Sequence, residues 1–312
     1  MASAAVAIAS ALAAAVACPS RLVVISGCGS RGVGLGVARQ VLERDLEVEV
    51  VVLSRTLERA QAISAELGPR AHGLQCDVTD DASCSALAAK LEKLGGGHEL
   101  FTLVNNAGFA ADLPWFPSPW PASAASQTLA VNLFGAERLT RVLMPQLLAA
   151  SDGRVVFISS GGGRLNMRRM SETRREQLLS AATGALGWED IASLADTFTR
   201  EYEDAAAAQV EGSPLPFMSP SGLWLQSYGF SKACLAAYCQ VLQREQPSLL
   251  ATTCSPGWVQ TEMSSTYTGD AQLRTIDEGG EVPAWLACGP RAEITSTGFY
   301  LPDRSVVSWV AD

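Results

Sequence analysis

Tyr228 and Lys232 stand four residues apart in Tyr228-Gly229-Phe230-Ser231-Lys232, a spacing that puts both side chains on one face of a helix. A phenol ordinarily ionises at pH ~10, and bringing it to neutrality takes roughly 4 kcal/mol. An ammonium about 4.5 Å away, at an effective dielectric of ~20, supplies about that much. Such a pair could donate and recover a proton near pH 7. The lysine is itself unusual, because only Lys90, Lys93 and Lys232 among 23 basic residues are lysines. Lys90 and Lys93 lie in Ala-Ala-Lys-Leu-Glu-Lys-Leu, a solvated helix face, whereas Lys232 sits in a small, apolar run that extends to Tyr238.

The elements that must position this pair alternate along the chain. Short β-branched runs at Leu22–Ile25, Val48–Leu53, Leu100–Val104, Arg154–Ile158 and Leu250–Thr253 are separated by helical patterns such as Gly34–Arg44, Leu57–Leu67 and Asp80–Leu94. Continuous apolar strands between helices predict an α/β fold with a parallel sheet covered on both faces. Open sheets of this kind bind ligands at the carboxyl ends of their strands, where the strand order reverses.

The first run ends in Ser26-Gly27-Cys28-Gly29-Ser30-Arg31-Gly32-Val33-Gly34. Gly27-x-Gly29-x-x-Gly32 between a strand and a helix is a dinucleotide fingerprint: tight turn, close backbone approach, and a helix N-terminus for phosphate. At the end of the second run Ser54-Arg55 stands where an acidic ribose ligand is usual. A guanidinium grips a 2′-phosphate that a carboxylate would repel. With Arg31 in the loop, the expected cofactor is NADP(H).

These residues resemble the short-chain dehydrogenase/reductase family, most of all its monomeric carbonyl reductases, from about residue 21 to the C-terminus. The family's G-x-x-x-G-x-G has its last two glycines at Gly32 and Gly34; its first is Gly27 if the loop is one residue longer, and otherwise falls on Cys28. Asp77-Val78 matches the adenine-contacting pair, and Asn105-Asn106-Ala107-Gly108 matches the segment beside the adenine ribose. The resemblance implies a catalytic tetrad of Asn132, Ser160, Tyr228 and Lys232. It also implies cofactor contacts from Gly27, Gly29, Arg31, Gly32, Val33, Gly34, Arg55, Asp77, Val78, Asn105, Ala107 and Gly108. Pro256, Gly257, Val259 and Thr261 would cover the nicotinamide, and Trp258 and Met263 would border the substrate beside Ser160 and Tyr228. In the implied roles Tyr228 donates a proton to a carbonyl oxygen, Ser160 hydrogen-bonds the same oxygen, and Lys232 lowers the phenol pKa. Asn132 would hold a water that links Lys232 to solvent.

Sixty-eight positions separate Ser160 from Tyr228, where a typical family member has a short turn. Helical patterns at Ser171–Leu179 and Trp188–Ala208, then a Pro/Ser-rich loop from Ser213 to Ser221, predict a helical insertion at about 163–225. Its counterpart in the monomeric carbonyl reductases covers an oligomerisation face, so a monomer is expected. The whole reads as a single Rossmann-type, doubly wound domain over 21–312, preceded by an alanine-rich leader at 1–20 expected to be disordered.

A net charge of −9 with 48% apolar and 18% charged residues argues against nucleic acid or an acidic membrane face as partner. The eight cysteines lack paired metal spacing; Cys28, Cys76, Cys254, Cys234 and Cys239 read as core thiols, and a reducing compartment is expected. No metal is expected, and His72 and His98 are assigned no role. The leader lacks the charges of a secretory or transit signal, so the expected location is cytoplasmic, with a plastid or other organelle as the lesser alternative. The expected activity is NADPH-dependent reduction of small aldehydes, ketones or quinones. Its rivals are an alcohol dehydrogenase dedicated to a steroid or terpenoid, and an idle NADP(H)-binding sensor.

Overall fold

A computed structural model describes residues 21–94, 98–116, 119–208 and 218–309. The alanine-rich leader and most of the Pro/Ser-rich loop lie outside the described residues.

The apolar runs form β1 (Arg21–Ile25), β2 (Val48–Ser54), β3 (Ala71–Gln75), β4 (Glu99–Asn105), β5 (Arg154–Ile158) and β6 (Leu250–Cys254), all pairing in parallel. Two short strands extend the sheet: β7 (Phe299–Tyr300), parallel to β6, and β8 (Val306–Val307), antiparallel to β7. The order is β3-β2-β1-β4-β5-β6-β7-β8. The order therefore reverses between β1 and β4, and a crevice opens at their carboxyl ends.

One face carries α1 (Val33–Arg44), α2 (Leu57–Leu67) and α10 (Ile276–Cys288); their side chains join β1, β2 and β5 in one core. The opposite core gathers α3 (Asp81–Glu92), α4 (Ala124–Leu129), α5 (Gly135–Ala149) and α9 (Ser227–Glu245). The insertion adds α6 (Gly161–Arg169), α7 (Glu172–Leu179) and α8 (Trp188–Ala207) to that second core. Helix α8 buries Ile191, Leu194, Ala195, Phe198 and Tyr202 at helical spacing, the amphipathic stripe its sequence predicts.

Helix α9 is central. Its residues from Gly229 to Leu242 are all buried, which explains its small and apolar composition. The thiols of Cys28, Cys76, Cys84, Cys234, Cys239 and Cys254 are free and buried, the core role expected of all of these but Cys84.

Candidate active site

Site geometry begins at the first turn of the sheet. Gly27 has φ +66°, and a Cβ there would come within 2.4 Å of the Ala107 backbone, so only glycine lets β1 and β4 close at the crevice. Ser26 ties the two strands: its hydroxyl accepts from the Asn106 and Ala107 amides, and the Asn106 side chain donates to the Ser26 and Gly27 carbonyls. Cys28 is buried with its amide on the Leu53 carbonyl. Gly27 therefore makes the turn.

A cavity of about 740 Å³ runs from this turn across the strand ends. At one end lie Gly27, Gly29, Arg31, Gly32 and Val33 with the N-terminus of α1, and Arg55 and Arg59 from β2 and α2. The guanidinium groups of Arg31, Arg55 and Arg59 are exposed and, among the described residues, form no salt bridge. Arg59 was not anticipated; as the third residue of α2 it looks like any solvated helix residue. Asp77 and Val78 line the next part of the wall. Partial burial pushes the Asp77 carboxyl up, but hydrogen bonds from Thr79 and the charges of Arg55 and Arg138 outweigh it and hold the group below its ordinary range. Ala107 and Gly108 line the cavity. Asn105 and Gly34 do not. The Asn105 side chain is buried and donates to Thr140 of α5 at 2.9 Å, because successive residues of a strand point to opposite faces. Gly34 faces Asn106, whose amide a Cβ would strike at 2.6 Å, so it serves packing.

The chemistry collects at the other end. Tyr228 lies one residue past the Gln226–Ser227 start of α9, and Lys232 follows one turn later on the same face, its Nζ 5.7 Å from the Tyr228 ring centroid. The carboxyl end of β5 grips α9 twice: Lys232 Nζ donates to the Ile158 carbonyl at 2.7 Å, and Ser159 Oγ donates to the Lys232 carbonyl at 2.9 Å. Ser160 is the N-cap of α6, with its hydroxyl accepting from the Gly162 amide at 3.0 Å. Helix α6 reaches α9 through glycine, since a Cβ on Gly163 would stand 2.9 Å from the Lys232 backbone. That approach brings Ser160 against the Tyr228 phenol.

Burial pushes the Tyr228 phenol above its ordinary range, opposed by the nearby Ser160 hydroxyl. This direction is a correction to the expectation drawn from the Tyr/Lys spacing. The physical reason is that Lys232 is turned to the Ile158 carbonyl, and its own charge is disfavoured by burial, which brings it down to about 8. Asn132 lies in a π-helical turn, Ala130–Phe134, between α4 and α5. Its amide clips two segments together: Oδ1 accepts from the Phe109 amide at 2.7 Å, and Nδ2 donates to the Phe109 carbonyl and to Ser231 Oγ, both at 2.9 Å. Both amide hydrogens are thus engaged with protein atoms, so Asn132 does not line the cavity with its side chain.

Pro256, Gly257, Val259 and Thr261 line the cavity after β6, held by a bridge between Val259 and Arg274. Trp258 and Met263 line it too. Trp258 packs on Trp115 at 5.0 Å and on Tyr267 at 4.7 Å, and Trp115 Nε1 donates to the Met263 carbonyl at 3.3 Å. Trp115 escaped sequence reasoning because nothing in its local pattern distinguishes it from a core aromatic. The result is an aromatic wall in the same cavity as Ser160 and Tyr228.

The profile of the short chain dehydrogenase family matches residues 21–172. Carbonyl reductase (NADPH) 3 of Homo sapiens is 32% identical over 301 residues, covering 93% of this chain and 99% of that protein. Carbonyl reductase (NADPH) 1 of Mus musculus is 29% identical over 305 residues, with 93% and 99% covered. Among solved structures, salutaridine reductase from Papaver somniferum superimposes with a TM-score of 0.73 at 26% identity, covering 90% of this chain and 99% of that one. Menthone neomenthol reductase from Mentha piperita shares the fold, with a TM-score of 0.70 at 21% identity and coverage of 91% and 99%. Identity of 32% sustained over nearly the full length of both chains places this chain in the short-chain dehydrogenase family, as one of its oxidoreductases.

Proposed function

We propose that the protein reduces aldehydes, ketones or quinones with NADPH, with Tyr228 as the proton donor. The observation that carries this reading is the polarity of one cavity: three arginines that form no salt bridge among the described residues at the end nearest α1, and Ser160, Tyr228 and Lys232 at the other. The residues present fit NADPH. Gly27 makes the tight turn against Ala107, Gly29 has open space where a side chain would be, and the N-terminus of α1 favours phosphate. Arg31, Arg55 and Arg59 would hold the 2′-phosphate, and Asp77 and Val78 the adenine. When bound, NADPH supplies the hydride.

The chain's own residues then do the rest. Ser160 donates a hydrogen bond to the carbonyl oxygen and stabilises the charge that develops there. Tyr228, protonated throughout the neutral range because burial holds its pKa up, transfers its phenolic proton to that oxygen. Lys232 retains a labile proton near neutrality beside the phenol that must be recharged. The wall of Trp115, Trp258 and Met263 excludes water and offers flat apolar area to the substrate body. That wall also favours a second reading, a reductase dedicated to one polycyclic terpenoid or steroid.

NADPH oxidation against a panel of aldehydes, ketones, quinones and polycyclic ketones tests the proposal. Wild type should turn over at least one class, and Tyr228→Phe should lose about 10²–10⁴-fold in kcat with NADPH affinity retained. Equal rates for Tyr228→Phe and wild type would remove Tyr228 as the donor. A protein that binds NADPH and reduces nothing would be the sensor.

A further inference from the structure

Asp112, in the loop after β4, is completely buried and takes no part in the chemistry above. Its carboxylate covers the exposed N–H groups at the start of α9: it accepts from the Ser227 amide at 2.5 Å and the Tyr228 amide at 3.3 Å, and from Gln226 Nε2 at 3.3 Å. The first amides of a helix have no partner within the helix, and a carboxylate there also opposes the positive end of the helix dipole. Ordinarily the residue just before the helix supplies this cap. Here Gln226 takes that position, with its Oε1 on the Gly229 amide at 2.6 Å, and a second cap arrives from 115 positions away.

The insertion reaches the same place. The Tyr202 hydroxyl of α8 is buried beside the Asp112 carboxylate and, among the described residues, has no hydrogen-bond partner. Four residues earlier on α8, Phe198 stacks on Phe230 of α9 at 4.0 Å and 4°, two residues from the phenol. Asp112 also begins the segment whose next residues, Leu113, Pro114 and Trp115, line the cleft.

We propose that Asp112 is a positioning residue, which holds the first turn of α9 so that Tyr228 meets Ser160, and that α8 completes the clamp through Tyr202 and Phe198. The insertion then serves the reacting end of the cleft as well as the protein's exterior. The inference rests on the carbonyl-reduction reading for its kinetic consequence. It does not rest on it for the clamp itself.

The test compares wild type, Asp112→Asn and Tyr202→Phe in kcat, KM, NADPH dissociation constant, and the isotope effect on kcat with NADPH deuterated at the transferred position. A carboxamide keeps the size and one acceptor, but not both. A misplaced donor costs up to about 10²-fold, so Asp112→Asn should lose about 10- to 100-fold in kcat and Tyr202→Phe about 3-fold. KM and NADPH affinity should stay within about 3-fold. The isotope effect should rise in both variants, which a mere loss of folded protein would not produce. Unchanged kcat and isotope effect, or a loss that only tracks folded fraction, would overturn the proposal.

If Asp112→Asn does not fold, Tyr202→Phe decides alone. Amide exchange across residues 226–232 should be faster in that variant than in wild type, and exchange equal to wild type overturns the clamp. This measurement needs no substrate. A wild type that binds NADPH and reduces nothing would therefore defeat the functional reading while the clamp is still judged.

Discussion

Lys232 shows how a residue proposed for the site can be costly to the fold. It is 3% exposed and burial brings its pKa down from 10.5 to about 8. Between these values the unfolded chain binds the extra proton, so folding stability rises with pH across that window, and below pH ~8 the full cost of burying the charge is present. A displacement of that size corresponds to ~3 kcal/mol. Lys232→Met removes the linkage, so the stability of wild type relative to the variant should improve by about 2–3 kcal/mol between pH 7 and pH 10 in urea titrations. A difference that stays constant with pH would mean that Lys232 is hydrated. At the opposite end of the cavity, Arg55→Asp should reduce the preference for NADPH over NADH by roughly 10- to 150-fold, the worth of one charged hydrogen bond. Initial rates with both cofactors measure it, and an unchanged preference would assign the phosphate to Arg31 and Arg59. Tyr228, Lys232, Arg31 and Arg55, which the structure brings to one cavity, were singled out because their type and spacing suggest chemistry. Asp112 was not, because its partners are 115 positions distant and a single aspartate before a leucine carries no pattern.

At the scale of elements, the strands were legible because both faces of β1, β2 and β5 are buried and their sequences are continuous β-branched runs. Helices α2 and α8 were equally legible from their apolar stripes. Helix α6 was not. It opens with Gly161-Gly162-Gly163, which intrinsic propensity reads as a turn, yet a helix begins directly after Ser160 rather than at about 163. Tertiary packing decides otherwise, since Gly163 lets α6 lie on the backbone of α9 where any larger residue would push it away. The edge strands β7 and β8, two residues each, are too short to leave a periodic signal. Two substitutions separate propensity from packing. Gly161 has open space around it, so Gly161→Ala should leave stability unchanged or raise it by up to ~1 kcal/mol. Gly163→Ala gains the same propensity but forces a Cβ to 2.9 Å from the Lys232 carbonyl carbon, a rigid neighbour, and overpacking of that kind costs about 1–3 kcal/mol. Thermal denaturation should move the two variants in opposite directions. If Gly163→Ala is as stable as Gly161→Ala, α6 does not depend on this crossing, and the placement of Ser160 needs another cause.

At the scale of the whole molecule, the insertion leaves α9 without a free face. In a sheet whose helices bury one side and expose the other, an apolar helix such as α9 would present an association surface. Here α6, α7 and α8 share its core and its middle is buried from Gly229 to Leu242. Among the described residues, the large apolar side chains that remain exposed are Leu46, Leu57, Phe109, Leu148, Leu165, Met218, Trp258 and Val306. Phe109, Leu165 and Trp258 line the cleft, and the other five belong to different segments of the fold. A stable dimer needs about 800 Å² from each partner with an apolar centre, and scattered single residues do not provide one. A net charge of −9 adds mutual repulsion at low ionic strength. We therefore expect a monomer: light scattering should return a mass near 32.8 kDa at micromolar concentration, in low and in moderate salt alike. A mass of twice that value, persistent on dilution, would show that an association face survives outside α9, and would move the role of the insertion entirely to the cleft, where Phe198 and Tyr202 already place part of it.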